Sequence, residues 1–174
     1  MIYAVRHGQT DMNKQGRLQG RKGAPLNEEG QKQAERLKER LAGIRFDYVF
    51  SSPQERAVQT AEIATGMMPQ IDARLDVFDL GEANGLLKNE VKIKNGIPDS
   101  QYYKGMEHPE DFIQRIFSFM KELEAYDPKA NIFISGHSCP TGAIGAYFHG
   151  IPEDGNILKF SSSNGDYKVY RFKS

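Results

Sequence analysis

The sequence opens with Met1-Ile2-Tyr3-Ala4-Val5-Arg6-His7-Gly8-Gln9-Thr10, an apolar run closed by a polar cluster. Short apolar runs of this kind are typical of buried strands in a layered α/β sheet. A histidine at the end of such a strand can present a ring nitrogen to a ligand, and the arginine before it offers a planar fork for phosphate oxygens. This stretch therefore predicts a strand that ends in a phosphate site, although Arg6-His7-Gly8 alone also fits an exposed basic pair.

Further strands and helices are predicted along the chain. The strands span residues 48–50, 132–134 and 167–172. Capping residues and apolar side chains at helical spacing predict helices. The helices span residues 27–41, 54–65, 109–125 and 141–148. Strands that alternate with helices predict an α/β fold, here a three-layer sandwich with a mostly parallel central sheet flanked by helices.

The 174 residues are enough for one compact domain with its own core. Residues 86–106 lack a clean hydrophobic period and are rich in Lys, Asn and Gly. We interpret them as a short lid or insertion in a single domain that spans residues 1–174.

The composition predicts neither a nucleic-acid partner nor a membrane. The 23 basic and 23 acidic side chains give a net charge of zero, which provides no overall attraction for nucleic acid or an anionic membrane. The first residues lack the charged and apolar regions of a signal peptide, so a cytoplasmic location is expected. Cys139 is the only cysteine, which excludes an intramolecular disulfide. A homodimer stays open, because soluble proteins often form one.

Polar residues directly follow three of the predicted strands. They are Arg6-His7-Gly8, Ser51-Ser52-Pro53 and Gly136-His137-Ser138. Ligands of open α/β sheets bind at the carboxyl ends of the strands, so these segments are expected to converge. Arg56 adds a second fork in the first turn of a helix, whose N-terminus attracts anions. One unprotonated histidine could attack phosphorus while the other histidine and the arginines offset the charge on the phosphoryl oxygens.

Taken in order, these motifs resemble those of the histidine phosphatase superfamily, in its branch with cofactor-dependent phosphoglycerate mutases and small phosphatases. The resemblance covers nearly the whole chain and implies a phosphoglycerate mutase-like fold. It is carried by Arg6-His7-Gly8-Gln9-Thr10 with Asn13, Arg17-Leu18-Gln19-Gly20, Ser51-Ser52-Pro53, Arg56-Ala57, Gln59-Thr60-Ala61, Arg74-Leu75, Asp79-Leu80-Gly81-Glu82, Gly85-Leu86 and His137.

The resemblance implies a phosphohistidine mechanism in which His7 attacks phosphorus, and water or an acceptor hydroxyl then takes the phosphoryl group. No metal or other cofactor is implied, because the cationic side chains supply the charge that a metal would otherwise provide. The residues implied to bind the phosphate are Arg6, Asn13, Arg56, His137 and Ser138.

The general acid is the point where this sequence departs from the family pattern. Family members usually carry a glutamate four residues before the first glycine of a Gly-x-x-x-Gly pair, and counting back from Gly81 gives Val77. A second register assigns the role to Glu82 but loses the glycine spacing. Glu82 is the first choice and Asp76 the second. The acid therefore stays open among Asp76, Asp79, Glu82 and Glu107.

The function implied is hydrolysis of a phosphomonoester, with a small phosphorylated metabolite as substrate and a phosphohistidine intermediate at His7. A phosphatase is favoured over a phosphoglycerate-type mutase, because the mutases of the family generally carry a longer insertion. Two further alternatives stay open. One is a protein phosphohistidine phosphatase, and the other, motivated by Val77, is a catalytically weak phosphate-binding module.

Overall fold

The structure, a computed structural model, describes residues 1–173. Within this range the strands are β1 (Ile2–Arg6), β2 (Tyr48–Ser51), β3 (Gln70–Ile71), β4 (Ile93–Lys94), β5 (Ile97–Pro98), β6 (Ile132–Gly136) and β7 (Tyr167–Tyr170). The α-helices of the same range are α1 (Asp11–Lys14), α2 (Glu28–Arg40), α3 (Glu55–Thr65), α4 (Pro109–Leu123) and α5 (Ser138–His149). Short 3-10 turns lie at Ala73–Leu75, Gly81–Ala83, Lys88–Glu90 and Ile157–Phe160.

The central sheet has the strand order β3-β2-β6-β1-β7. Strand β6 pairs in parallel with β1 on one side and with β2 on the other, and β3 is parallel to β2. Only β7, paired with β1 at the edge, runs antiparallel. The prediction of an α/β fold with a mostly parallel central sheet is confirmed.

Successive side chains of the strands are buried on opposite faces of the sheet. In β1, Ile2 and Ala4 belong to a core cluster that includes residues of α4 and α5. Tyr3 and Val5 belong to a second cluster with residues of α2 and α3. Because successive side chains of a strand point to opposite faces, the sheet forms the middle of three layers.

The main helices follow their sequence signals closely. Helix α2 begins after Asn27, whose side chain accepts from the backbone N–H of Gly30, and α3 ends at Gly66, which has a φ of 69°. Helix α5 begins at Ser138, three residues before its predicted start. Its first turn tolerates Pro140, because the first N–H groups of a helix have no intrahelical partner.

Residues 86–106 contain structure that the sequence reading did not predict. Strands β4 and β5 form a hairpin joined by Asn95 and Gly96, with φ values of 54° and 83°. Positive φ at both central residues is the geometry that an Asn-Gly pair favours in a two-residue turn. The same reading missed α1 and β3, which have four and two residues.

None of the helices described within residues 1–173 is both long enough and apolar enough to span a membrane.

Candidate active site

A cavity of about 280 Å³ lies where β1 and β6 end and α5 begins. The backbone carbonyl of Gly136 accepts from His7 N at 3.0 Å, and that of Ser135 accepts from Ser52 N at 3.0 Å. The ends of three parallel strands are thereby held next to one another. Of the predicted site residues, this cavity is lined by Arg6, His7, Asn13, His137 and Ser138.

His7 is buried at the base of the site, with 4% of its surface exposed. Its Nδ1 lies 2.6 Å from the carbonyl oxygen of Gly8. A carbonyl oxygen can only accept, so Nδ1 carries the ring proton and Nε2 holds a lone pair. Burial, and then the charge of Arg56, lowers the pKa of His7 to about 3. The ring is therefore neutral at pH 7, the state that a nucleophile requires.

Close backbone packing fixes the loop that carries His7. A Cβ on Gly8 would lie 2.5 Å from the carbonyl oxygen of Gly30 at the start of α2, so only glycine allows this approach. The N–H of Gly8 donates to the hydroxyl of Thr60 on α3 at 3.0 Å. The carbonyl of His7 accepts from the side-chain amide of Asn164 at 3.0 Å. The ring is thus positioned by contacts from three parts of the chain.

His137 is the N-cap residue of α5, and its ring centroid lies 5.1 Å from that of His7. Its Nε2 is 2.8 Å from the hydroxyl oxygen of Ser52, which also accepts from Gln54 N. This arrangement lets the hydroxyl donate to Nε2 and leaves the ring proton on Nδ1. Burial, reinforced by the charge of Arg56, lowers the pKa of His137 well below its ordinary value.

The charges of Arg6 and Arg56 both act on His7, although only Arg6 lines the cavity. Arg56 is 2% exposed and donates from one terminal nitrogen to the carbonyl of Gly20 at 2.9 Å. Arg6 donates similarly to the carbonyl of Ser162 at 3.1 Å. Burial lowers the pKa of Arg56 to about 10, which leaves it cationic at neutral pH.

Three buried nitrogen atoms of this site have no hydrogen-bond partner among residues 1–173. They are Nε of Arg6, Nε of Arg56 and Nδ1 of His137, and within that range they are the only such buried side-chain atoms. Native proteins pair almost all buried polar groups, because an unpaired one costs free energy. Anionic oxygens of a ligand are acceptors that suit such unpaired N–H groups.

Asn13 and Ser138 complete the polar wall of the cavity. Asn13 ends a capping box, in which its Oδ1 accepts from the N–H of Thr10 at 3.1 Å and its own N–H donates to the Thr10 hydroxyl. Its amide orientation is therefore fixed by the backbone. Ser138 is the first residue of α5, where free N–H groups and the helix dipole favour an anion.

The first-choice acid, Glu82, lies outside this cavity. It borders a surface depression with Arg21 and Lys104, and its carboxylate accepts from Lys104 N at 3.1 Å. Asp76 does not line the cavity either. Its Oδ1 accepts from Gln54 Nε2 and from Val77 N, both at 2.8 Å. Val77 itself lines the cavity, in agreement with the register that starts from Gly81.

The two remaining acid candidates are bound to arginines. Both carboxylate oxygens of Glu107 accept from Arg115, at 2.8 and 2.9 Å. Asp79 accepts from Gly81 N at 3.0 Å and lies 3.8 Å from Arg21. Within residues 1–173, no cluster of three His, Cys, Asp or Glu side chains has the spacing of a metal site.

Several residues of the predicted lid contribute to the cavity, and two of them, the isoleucines of its hairpin, were not singled out from the sequence. Lys88 and the hairpin residues Ile93 and Ile97 line its wall. The Asn-Gly pair between β4 and β5 is a sequence signal that could have placed this hairpin. Asn164 gave no such signal, because its contact with His7 joins residues 157 positions apart.

The sequence model of the histidine phosphatase superfamily (branch 1) matches residues 2–174. The chain therefore belongs to the histidine phosphatase superfamily.

Proteins with similar sequences or structures include phosphatases and a mutase by name. The uncharacterized phosphatase PhoE of Bacillus subtilis is 32% identical over 146 residues, which cover 82% of this chain and 74% of that protein. The probable phosphoglycerate mutase GpmB of Cronobacter sakazakii is 26% identical over 163 residues, which cover 87% and 75%. A mycobacterial glucosyl-3-phosphoglycerate phosphatase, solved as a complex with VO3, matches with a TM-score of 0.81 and 25% identity over 95% of this chain and 90% of that one.

Proposed function

We propose that this chain is a phosphomonoester hydrolase that acts on a small phosphorylated compound through a phosphohistidine on His7. One observation carries the proposal: unpartnered buried nitrogens of Arg6 and His137 belong to the cavity that holds the unprotonated Nε2 of His7, and the charge of Arg56, whose Nε is also unpartnered, acts on the same histidine. Such a pocket combines a nucleophile with donors for the oxygens of one phosphoryl group.

In the first step Nε2 of His7 forms a bond to phosphorus, while the bond from phosphorus to the leaving oxygen breaks. The leaving oxygen keeps that electron pair. Arg6, Arg56 and His137 donate to the remaining phosphoryl oxygens and offset their charge. Water then adds to phosphorus, and the electron pair of the nitrogen–phosphorus bond returns to Nε2. Both hydrogens of the water stay with the product, which leaves as dihydrogen phosphate.

The size of the cavity and the relatives support a small-molecule hydrolase. A cavity of about 280 Å³, narrowed by the hairpin β4–β5, suits a small compound better than a folded protein surface. A relative named as a phosphatase supports water as the acceptor of the phosphoryl group.

The test is hydrolysis of p-nitrophenyl phosphate by the full chain and by its His7→Ala variant. We expect the variant to lose at least about 10³-fold in kcat, because the attacking atom is gone. His149→Ala is the matched control, since that histidine is exposed at the end of α5. A thermal unfolding scan of each variant shows that it is folded.

A second readout looks for the intermediate itself. The enzyme is mixed with a radiolabelled phosphate donor and quenched, and label that is stable to base but labile to acid is assigned to His7 by its absence in His7→Ala. Equal turnover by His7→Ala and the unchanged chain would contradict the proposal.

A further inference from the structure

Beyond its charged residues, the cavity has an apolar wall. It is formed by Leu18, Val77, Phe78, Ile93, Ile97 and Leu158. No Asp or Glu belongs to the wall of this cavity within residues 1–173. The pocket thus pairs a cationic site for phosphate with a lining that suits an apolar group attached to it.

The backbone holds Val77 firmly in this wall. Its N–H donates to Asp76 Oδ1 at 2.8 Å, and its carbonyl accepts from Arg115 at 3.2 Å. Arg115 also donates to the carbonyls of Arg74 and Asp76, at 2.8 and 2.7 Å. Val77 is 6% exposed. A shift that brought the carboxylate of Asp76 into the cavity would break this set of hydrogen bonds.

The other nearby carboxylates are likewise engaged outside the cavity. Glu107 binds Arg115 with both oxygens, Asp79 accepts from Gly81 N, and Glu82 accepts from Lys104 N. A carboxylic acid that protonates a leaving oxygen must lie within hydrogen-bond reach of it. None of these side chains lines the cavity that holds His7.

We infer that this chain, acting as the phosphohydrolase proposed above, selects substrates whose leaving group is apolar and departs as a weakly basic anion: aryl or acyl phosphates rather than alkyl phosphates. When the bond to phosphorus breaks, the electron pair stays on the leaving oxygen and no side-chain carboxyl neutralises it. Phenols and carboxylic acids carry such a charge readily, with pKa values of about 10 and 4. An alcohol resembles water, whose pKa is about 15.7, and needs a proton as it leaves.

A neighbouring cavity gives an apolar leaving group room to extend. It has a volume of about 560 Å³ and shares with the first cavity the wall residues Phe78, Ile97, Pro98, Cys139 and Leu158. Burial of an apolar ring or chain against these residues stabilises the complex without a polar partner. The same neighbouring cavity is also lined by Asp99, Glu107 and Glu110, and Glu107 is held by Arg115 through both carboxylate oxygens.

Two other residues of the cavity wall carry ionisable protons, Lys88 and Cys139. Burial, followed by the charge of Arg6, lowers the pKa of Lys88, and burial raises the pKa of the Cys139 thiol to about 11. The ammonium group of Lys88 carries N–H donors as well as charge, and a thiol is a weak hydrogen-bond donor. Neither group is a carboxyl, and the variants Lys88→Met and Cys139→Ala named below test each of them as a proton donor.

The first test measures kcat/KM for the full chain on aryl phosphates whose phenols differ in pKa, on benzoyl phosphate and on glycerol phosphate. We expect kcat/KM to fall steeply as the leaving group becomes more basic, and the alkyl ester to react at least about 10²–10⁴-fold more slowly than the aryl esters. Comparison of benzoyl with phenyl phosphate shows which of the two leaving groups is preferred.

The second test restores an acid. Val77→Glu is expected to raise kcat/KM on glycerol phosphate by about 10²–10⁴-fold relative to kcat/KM on p-nitrophenyl phosphate, because a general acid helps the more basic leaving group more. Val77→Gln is the matched control, because glutamine has nearly the same shape as glutamate but no carboxyl proton to donate. If Val77→Glu does not fold, the dependence of kcat/KM on leaving-group pKa in the unchanged chain decides whether the inference holds.

The results separate this inference from the function on which it rests. If alkyl esters react as fast as aryl esters while His7 stays essential, the inference is wrong and the hydrolase stands. The inference is also wrong if a folded Val77→Glu gives no gain, or if Lys88→Met or Cys139→Ala selectively removes alkyl turnover. If His7→Ala is as active as the unchanged chain on every ester, the proposed function itself fails.

Discussion

Two groups of arginines lie near the candidate active site, and they differ in their partners. Arg6 and Arg56 have no carboxylate within salt-bridge distance among residues 1–173, and each keeps an unpartnered Nε. Arg115, in contrast, binds both oxygens of Glu107 and three backbone carbonyls. Arg21 lies 3.5–3.9 Å from three carboxylates, those of Asp76, Asp79 and Glu107.

We propose that this difference separates a ligand-binding arginine from a structural one. A buried guanidinium whose hydrogen bonds are all satisfied within the chain stabilises the backbone around it. One that keeps a buried unpaired N–H has capacity left for an external anion. The residue type is the same in both groups, and the partners that the chain provides separate them.

Among the changes that test this comparison of arginines, the largest effect is expected when Arg56 is replaced by lysine, which keeps the charge but not the planar guanidinium. Arg56→Lys removes the Nε donor and the planar geometry, so we expect kcat/KM on p-nitrophenyl phosphate to fall by about 10²–10³-fold. The same variant should bind inorganic phosphate more weakly, as measured by its smaller thermal stabilisation on phosphate addition. Arg36→Lys on the exposed face of α2 is the control, with activity unchanged. Full activity of Arg56→Lys would contradict the proposal that the arginines with an unpaired N–H bind the substrate.

The converse change, Arg115→Met, should act on stability. It removes both hydrogen bonds from Arg115 to Glu107 and those to three backbone carbonyls, so the free energy of unfolding should fall by about 3 kcal/mol in a urea titration. Phosphate should still raise the thermal midpoint of this variant, because Arg6 and Arg56 are untouched. Loss of phosphate binding with stability unchanged would place Arg115 among the binding arginines instead.

The next effect, which is smaller when expressed per pH unit, concerns His7. Burial lowers the pKa of His7 to about 3, so below pH 6.5 the unfolded chain takes up a proton that the folded chain does not. The free energy of unfolding therefore falls as pH decreases from 6.5 toward 3, by up to about 1.4 kcal/mol per pH unit for this histidine. In phosphate-free buffer His7→Asn should remove this contribution to the slope of the unfolding free energy against pH, and His149→Asn should not. An unchanged slope in His7→Asn would mean that His7 is protonated in the folded chain.

The parts of the fold that hold the phosphate end of the site could be predicted from the sequence. The apolar runs before His7, Ser52 and His137 identify buried strands, and the rule that parallel strands end at one sheet edge brings the polar residues after them together. This reasoning depends on local patterns alone. It therefore also located α2, α3 and α4 to within two residues of their observed ends.

The leaving-group end of the site could not be predicted in the same way. Whether Val77, Glu82 or Asp76 reaches the cavity depends on contacts between residues that are distant in the sequence. Arg115 donates to the carbonyl of Val77, and the N–H of Lys104 donates to the carboxylate of Glu82. The hairpin β4–β5 was missed for another reason: its strands have two residues each, too few for a period to be recognised.

The hydrogen bond from His7 Nδ1 to the carbonyl of Gly8 has a consequence for analytical chemistry. Because Nδ1 is occupied by its proton and faces the backbone, a phosphoryl group on this ring can form only at Nε2. The modified residue would therefore be the τ-isomer of phosphohistidine and not the π-isomer. An antibody against the τ-isomer would then recognise the phosphorylated enzyme, and an antibody against the π-isomer would not. This gives the trapped enzyme a chemical signature that is independent of its substrate.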